Sequence, residues 1–159
     1  SGRHLELAKQ RGADIVVNSH EINSVAHIRG ITNGRGVDVA FHSCGYWNPH
    51  AEEYFNLCAE LVRDEGIMVS IPDMMSPIKA NLHRIHHHAV DLRFPALMHH
   101  GKDFINRAVP RLFRPIEKRL ITIEDLVTAE FPLSQLEQAI RLFDTDEDQI
   151  KIIINPRTG

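Results

Sequence analysis

Cysteine is scarce in this chain, at two residues in 159, and the formal charge of -3 gives neither sign a large excess. Cys44 and Cys58 lack CxxC spacing, which excludes a disulfide framework and a cysteine-rich structural zinc site and leaves them as small apolar residues of the interior. Long apolar runs are missing too: no stretch reaches the roughly 18 residues of a membrane-spanning helix. Residues 1–25 carry no basic, apolar, small-residue signal peptide. The chain therefore reads as soluble and cytoplasmic, with no membrane partner. Charges of both signs are interspersed, so nothing electrostatic points to a nucleic-acid partner. What is present is a 43% hydrophobic composition, enough for a real core, and an unusual 11 histidines. The opening Ser1-Gly2-Arg3, without methionine, reads as a fragment or a trimmed chain.

Hydrophobic spacing sets out the elements. A helix over His4 to Gln10 closes on Arg11-Gly12, where glycine can take the left-handed conformation. Asp14 to Asn18 is a β-branched run with the pattern of a buried strand. Asn18 with Glu21 has capping-box spacing for a helix whose inner face is Ile22, Val25 and Ile28. A second strand covers Val37 to Ser43, a helix follows Asn48-Pro49, and a third strand covers Gly66 to Ile71. Strands alternating with helices of this length imply βαβ units and a parallel sheet. Beyond Pro72 the texture changes: Met74 to Pro77 is a loop, Ala80 to His88 a helix, and Val90 to Phe94 a strand. A helix from Lys102 to Val109 meets Pro110, expected to kink or end it. Val127 to Phe131 and Ile150 to Ile154 are strands, and between them Ser134 and Glu137 form a capping box.

Each candidate motif has a plain reading beside it. Gly34-Arg35-Gly36 precedes a strand, whereas a phosphate-binding turn follows a strand and opens a helix, so it is a turn. His83 and His87 share a face at i, i+4, the spacing of two metal ligands, but no third ligand is specified and His86 to His88 point apart; a solvated or interface face is the expectation. Ser43-Cys44-Gly45, Ile71-Pro72 and Asn18-Ser19 follow strands, and in open parallel sheets ligands gather at the carboxyl ends of strands. Plain turn chemistry accounts for them equally. No base is identified that would make Cys44 a nucleophile. Lys151, after the acidic stretch Asp144 to Asp148, reads as a surface charge.

Taken in order, Arg3-His4-Leu5-Glu6-Leu7-Ala8-Lys9 to Gly12-Ala13-Asp14, Gly34-Arg35-Gly36-Val37-Asp38-Val39, and Gly66 to Ile71 resemble the medium-chain dehydrogenase/reductase family, the zinc alcohol dehydrogenase relatives. Leu126-Val127-Thr128, Phe131-Pro132-Leu133, Leu136 to Phe143 and Lys151 to Ile154 are similar to its closing strand, helix and strand. Each phrase alone is weak; their order and spacing are specific. Two departures stand out: Ala129-Glu130 where many members have His-Arg, and the histidine run at 86–88.

The resemblance implies an α/β fold: a partial Rossmann domain, a doubly wound parallel sheet, over residues 1–115, and over 116–159 a C-terminal strand-helix-strand return into the catalytic domain. It implies an NAD(P)-dependent oxidoreductase, of alcohol or polyol dehydrogenase type, that moves a hydride between nicotinamide and a small-molecule alcohol or carbonyl substrate. The cofactor is NAD or NADP. Zinc is expected in an N-terminal half that would precede Ser1, together with the glycine-rich turn. No residue of this chain is assigned a catalytic or metal-ligating role. By position, Arg3 and His4 fall at the adenosine ribose or its 2'-phosphate, and Ser43, Cys44 and Gly45 at the strand end beside the cofactor. Ile71 and Pro72 fall near the nicotinamide, Phe94 and Pro95 near its carboxamide, and Lys151 at the pyrophosphate. The isolated chain is expected to bind the cofactor weakly or undetectably and to show no turnover. The family also implies a homodimer or homotetramer, paired through the strand matching Val90 to Phe94. Two alternatives are a non-catalytic dimerisation module and a methyltransferase-like domain binding S-adenosylmethionine, whose sheet would close with an antiparallel hairpin.

Overall fold

The computed structural model describes residues 2–45, 48–72, 77–95 and 101–157, apart from the side chains of 101, 103 and 104. It divides into two compact units, residues 18–100 and residues 1–17 with 101–159.

The first unit is built on a three-stranded parallel sheet. Helix α2 (Ser24–Ile31) precedes strand β1 (Val37–His42); helix α3 (Ala51–Leu61) then runs directly into β2 (Val62–Ser70), and helix α4 (Leu82–His87) leads to β3 (Asp91–Arg93). The order is β1-β2-β3, with Ala40 opposite Met68, His42 opposite Ser70 and Met68 opposite Leu92. This is the expected βαβ arrangement, because β-branched and apolar strands alternate with helices long enough to cross back. Phe55 and Ala59 of α3 bury against Ala40, Val62, Met68 and Val90, with Ile85 and Leu92 packed around them. Burying a side chain such as Phe55, 2% exposed, contributes roughly 2–3 kcal/mol. On the other face of β1, Val39 and Phe41 stay exposed. Gly36 makes the close approach before β1: its φ is 91°, and a Cβ there would lie 2.5 Å from the Leu61 carbonyl oxygen. Gly34 is also at positive φ, so the glycine pair is a turn.

In the second unit, helix α1 (Gly2–Gln10) and helix α5 (Gly101–Glu117) accompany strand β4 (Val127–Pro132), helix α6 (Leu136–Thr145) and strand β5 (Lys151–Asn155). β4 and β5 pair in parallel, Phe131 opposite Ile154, joined through α6. A methyltransferase-type antiparallel closing hairpin is therefore not formed among the described residues. Arg11 donates to the Thr122 carbonyl at 2.6 Å and pairs with Asp125.

Several expectations are corrected. Asp14 to Asn18 is not a strand; Ile15 is half exposed, and β-branched residues favour extended backbone without supplying the neighbour that a ladder needs. Asn18 does not cap a helix. It holds a turn, accepting from the His20 N–H and donating to Glu21, and α2 starts at Ser24 under a cap five residues later, Asn23, whose side chain accepts from the Ala26 N–H at 2.9 Å. Ser134 lies in a 3-10 turn, Leu133–Gln135, and α6 begins without a side-chain cap; Glu137 pairs with Arg141 instead. α5 continues through Pro110 to Glu117. In so exposed a segment, water can satisfy the carbonyl that proline leaves without a donor. The Met74 to Pro77 loop falls largely outside the described residues.

Candidate functional site

The carboxyl ends of the three parallel strands lie along one edge of their sheet. β1 ends at His42 opposite Ser70 of β2, β2's Val69 is opposite Arg93 of β3, and the Ile71 N–H donates to the His42 carbonyl at 2.9 Å. The residues leaving that edge are Ser43-Cys44-Gly45, Ile71-Pro72 and Phe94-Pro95, so seven of the ten sequence-predicted positions share one sheet edge. Gly45 is buried, while Ser43, Ile71, Phe94 and Pro95 are exposed. Phe94 shows 57% of its surface and Ile71 42%, an apolar exposure at a strand end where a flat ligand can pack.

Beneath the edge lie two residues that the sequence analysis did not single out. His42 and Ser70 are 1% and 2% exposed, and His42 Nδ1 shares a hydrogen bond with Ser70 Oγ at 3.0 Å. The His42 ring meets Phe55 edge-on at 5.5 Å. Burial pushes the His42 pKa down, partly offset by the Ala51 backbone. A usable signal was present: His42 shares strand parity with Ala40, which faces the core.

Cys44 and Cys58 are both free and half-buried. Burial raises the Cys44 pKa and, with a contribution from Cys44, pushes the Cys58 thiol up to about 11. Neither is an activated nucleophile, since the thiolate is the reacting form.

Arg3, His4 and Lys151 belong to the other unit. Arg3 is exposed on α1 and lines a cavity of about 220 Å3 with Glu6, Gln10 and Asp125. His4 is exposed on the same helix. Lys151 is exposed at the start of β5, where it borders a cavity of about 290 Å3 walled by Leu136, Ile140, Phe143 and Ile152. Gln149, the Asp148 N–H and, more weakly, Arg3 hold the Asp146 carboxyl below its ordinary range.

The strand-end edge is the kind of place where α/β sheets bind ligands, and the chain's relatives supply its context. The sequence profile of zinc-binding dehydrogenases matches residues 1–113. The chain belongs to this family. Among zinc-binding dehydrogenases it is similar to an alcohol dehydrogenase of Cupriavidus necator, 27% identical over 157 residues, 96% of this chain and 40% of that protein. An (R,R)-butanediol dehydrogenase of Neisseria gonorrhoeae is 25% identical over 154 residues, 95% of this chain and 40% of that protein. The structure superposes with TM-score 0.79 on the apo form of zinc dependent alcohol dehydrogenase 2 from Streptococcus pneumonia, 25% identical, covering all of this chain and 43% of that one. The chain thus spans about 40% of the length of the curated relatives it matches. Among the described residues no three His, Cys, Asp or Glu side chains are grouped to hold a metal ion, and no helix is long and apolar enough to cross a membrane.

Proposed function

We propose that the chain is the cofactor-proximal part of an NAD(P)-dependent alcohol or polyol dehydrogenase. The observation that carries this reading is the shared sheet edge from which Ser43 to Gly45, Ile71-Pro72 and Phe94-Pro95 emerge. The edge fits the nicotinamide end of a dinucleotide. Gly45 puts no side chain in the way, and Ile71 and Phe94 offer exposed apolar surface to a ring. When bound, a nicotinamide supplies hydride chemistry.

The chain's own residues bind and orient. Ser43 to Gly45 border the dinucleotide beside β1, Ile71 and Pro72 pack at the nicotinamide, and Phe94 and Pro95 lie at its carboxamide. Arg3 and His4 attract the adenosine ribose or its phosphate, and Lys151 the pyrophosphate. The reaction is oxidation of a small alcohol or the reverse reduction of a carbonyl. Among the described residues no three ligating side chains are grouped for zinc. In this reading its ligands come from a separate catalytic segment, and residues 116–159 join that segment and lend Lys151 to the pyrophosphate, while residues 1–115 hold the rest of the cofactor. The active species is a cytoplasmic homodimer or homotetramer.

The test is a chimera in which the N-terminal segment of the Cupriavidus necator relative is joined to this chain. Reduced-nicotinamide absorbance should report oxidation of small alcohols by the chimera and none by the chain alone. A folded chimera that binds neither NAD nor NADP would overturn the reading.

A second reading, a non-catalytic pairing module, rests on β3. Among the described residues this strand lies at the edge of its sheet, so one side of its backbone is open to a strand from a second copy, although its three-residue length and the exposed Asp91–Arg93 pair limit that contact. Size-exclusion chromatography tests it, and a strictly monomeric chain contradicts it.

A further inference from the structure

The histidine run takes no part in the edge described above, yet α4 holds two of its rings together. His83 and His87 stand one helical turn apart with ring centroids 4.2 Å from each other and planes inclined by 37°. Both are exposed, and no hydrogen bond among the described residues uses either ring. Two imidazoles bound cis to one late first-row cation, with metal–nitrogen distances of about 2.0–2.1 Å, place their ring centres about 4.5–5 Å apart. The observed spacing is within a small side-chain rotation of that.

The frame beneath the rings is fixed. Asn81 caps α4 by accepting from the Arg84 N–H at 3.0 Å. Arg84, 5% exposed, turns inward and donates to the Val62 carbonyl at 2.5 Å, with Asp64 at 3.5 Å and Glu60 at 3.8 Å from its guanidinium. His88 is held at 2.7 Å from Asp64, and Ile85 packs on the core. With 84, 85 and 88 committed to the protein, 83 and 87 are left side by side in solvent. A chelate on such a frame loses little backbone freedom when it closes.

We propose that His83 and His87 form a two-imidazole site for a divalent transition cation of the nickel, copper or zinc kind. Its remaining coordination positions are open to water or to a ligand from another molecule. The site is separate from the strand-end edge and does not depend on the proposed dehydrogenase activity. His86 meets the His87 ring edge-on at 5.3 Å, with planes inclined by 82°, and projects about 100° round the helix from it, so it serves as an internal control.

The experiment is calorimetric titration of the untagged chain with Ni2+ alone, with histidine ring protons followed by NMR. One strong site is expected, with paramagnetic broadening centred on His83 and His87. H83A and H87A should each weaken binding at least tenfold, H86A less than threefold, and circular dichroism should confirm that all three fold. No Ni2+ binding by the wild-type chain, or an equal loss in H86A, overturns the proposal. If a variant fails to fold, the broadening pattern of the wild-type chain decides by itself: broadening centred on other histidines refutes the site.

Discussion

His42 Nδ1 lies 3.0 Å from Ser70 Oγ, and this buried hydrogen bond joins β1 to β2 one residue before both strands deliver their edge residues. S70A leaves a buried ring nitrogen without its partner and should cost about 1–3 kcal/mol in chemical denaturation. The double variant H42F/S70A keeps a ring against Phe55 and removes both partners of the bond, so it should cost less than S70A alone.

The same histidine makes stability depend on pH. Its folded pKa lies below the ordinary value of 6.5, so the unfolded chain takes up the proton first as pH falls. The contribution is complete above pH 6.5 and is lost as pH drops toward the folded pKa. Denaturation midpoints measured from pH 7.5 to 5 should fall in the wild type and change less in H42F. Equal slopes would assign the acid sensitivity elsewhere.

Arg84 is the second buried polar anchor. R84M removes the donor to the Val62 carbonyl and the ion pairs with Asp64 and Glu60. A loss of about 2–4 kcal/mol is expected, and amide exchange should accelerate first over α4. A loss below about 0.5 kcal/mol would mean that the guanidinium is not held as described.

Thiol labelling reads the edge from another side. With its pKa at about 11, Cys58 is roughly one-thousandth thiolate at pH 8, and Cys44 is also raised. Alkylation at pH 8 followed by mass spectrometry should show Cys58 modified far more slowly than the same cysteine in the denatured chain. Comparable rates would contradict its burial.

Much of the framework was legible because it rests on periodicity. Val37 to His42, Gly66 to Ser70 and Lys151 to Ile154 alternate with helices as parallel βαβ units require, and Leu136, Ala139, Ile140 and Phe143 mark one face of α6. Start signals were less reliable, because the pattern that caps a helix also closes a turn. Asn18 with Glu21 forms a turn, while Asn23, without a capping-box glutamate, is the cap used. Asp14 to Val17 has strand composition but no strand beside it, since pairing is a property of neighbours. At the site, Ser43 to Gly45 and Ile71-Pro72 were legible as strand ends and Phe94-Pro95 through family correspondence, whereas His42 and Ser70 were missed, as was Arg84 on α4. Strand parity puts His42 on the core face, but what a buried polar residue pairs with shows only when its partner, 28 positions away for His42 and 22 for Arg84, is known.

The proposed function requires that the strand-end edge border a nicotinamide cofactor. The direct measurement is a 15N–1H correlation titration of the isolated chain with NADH and with NADPH. Weak binding is expected, with Kd above about 0.1 mM, and shifts concentrated at the amides of Ser43, Cys44, Gly45, Ile71 and Phe94. Micromolar affinity, or shifts at high cofactor concentration that spare these amides, would contradict it.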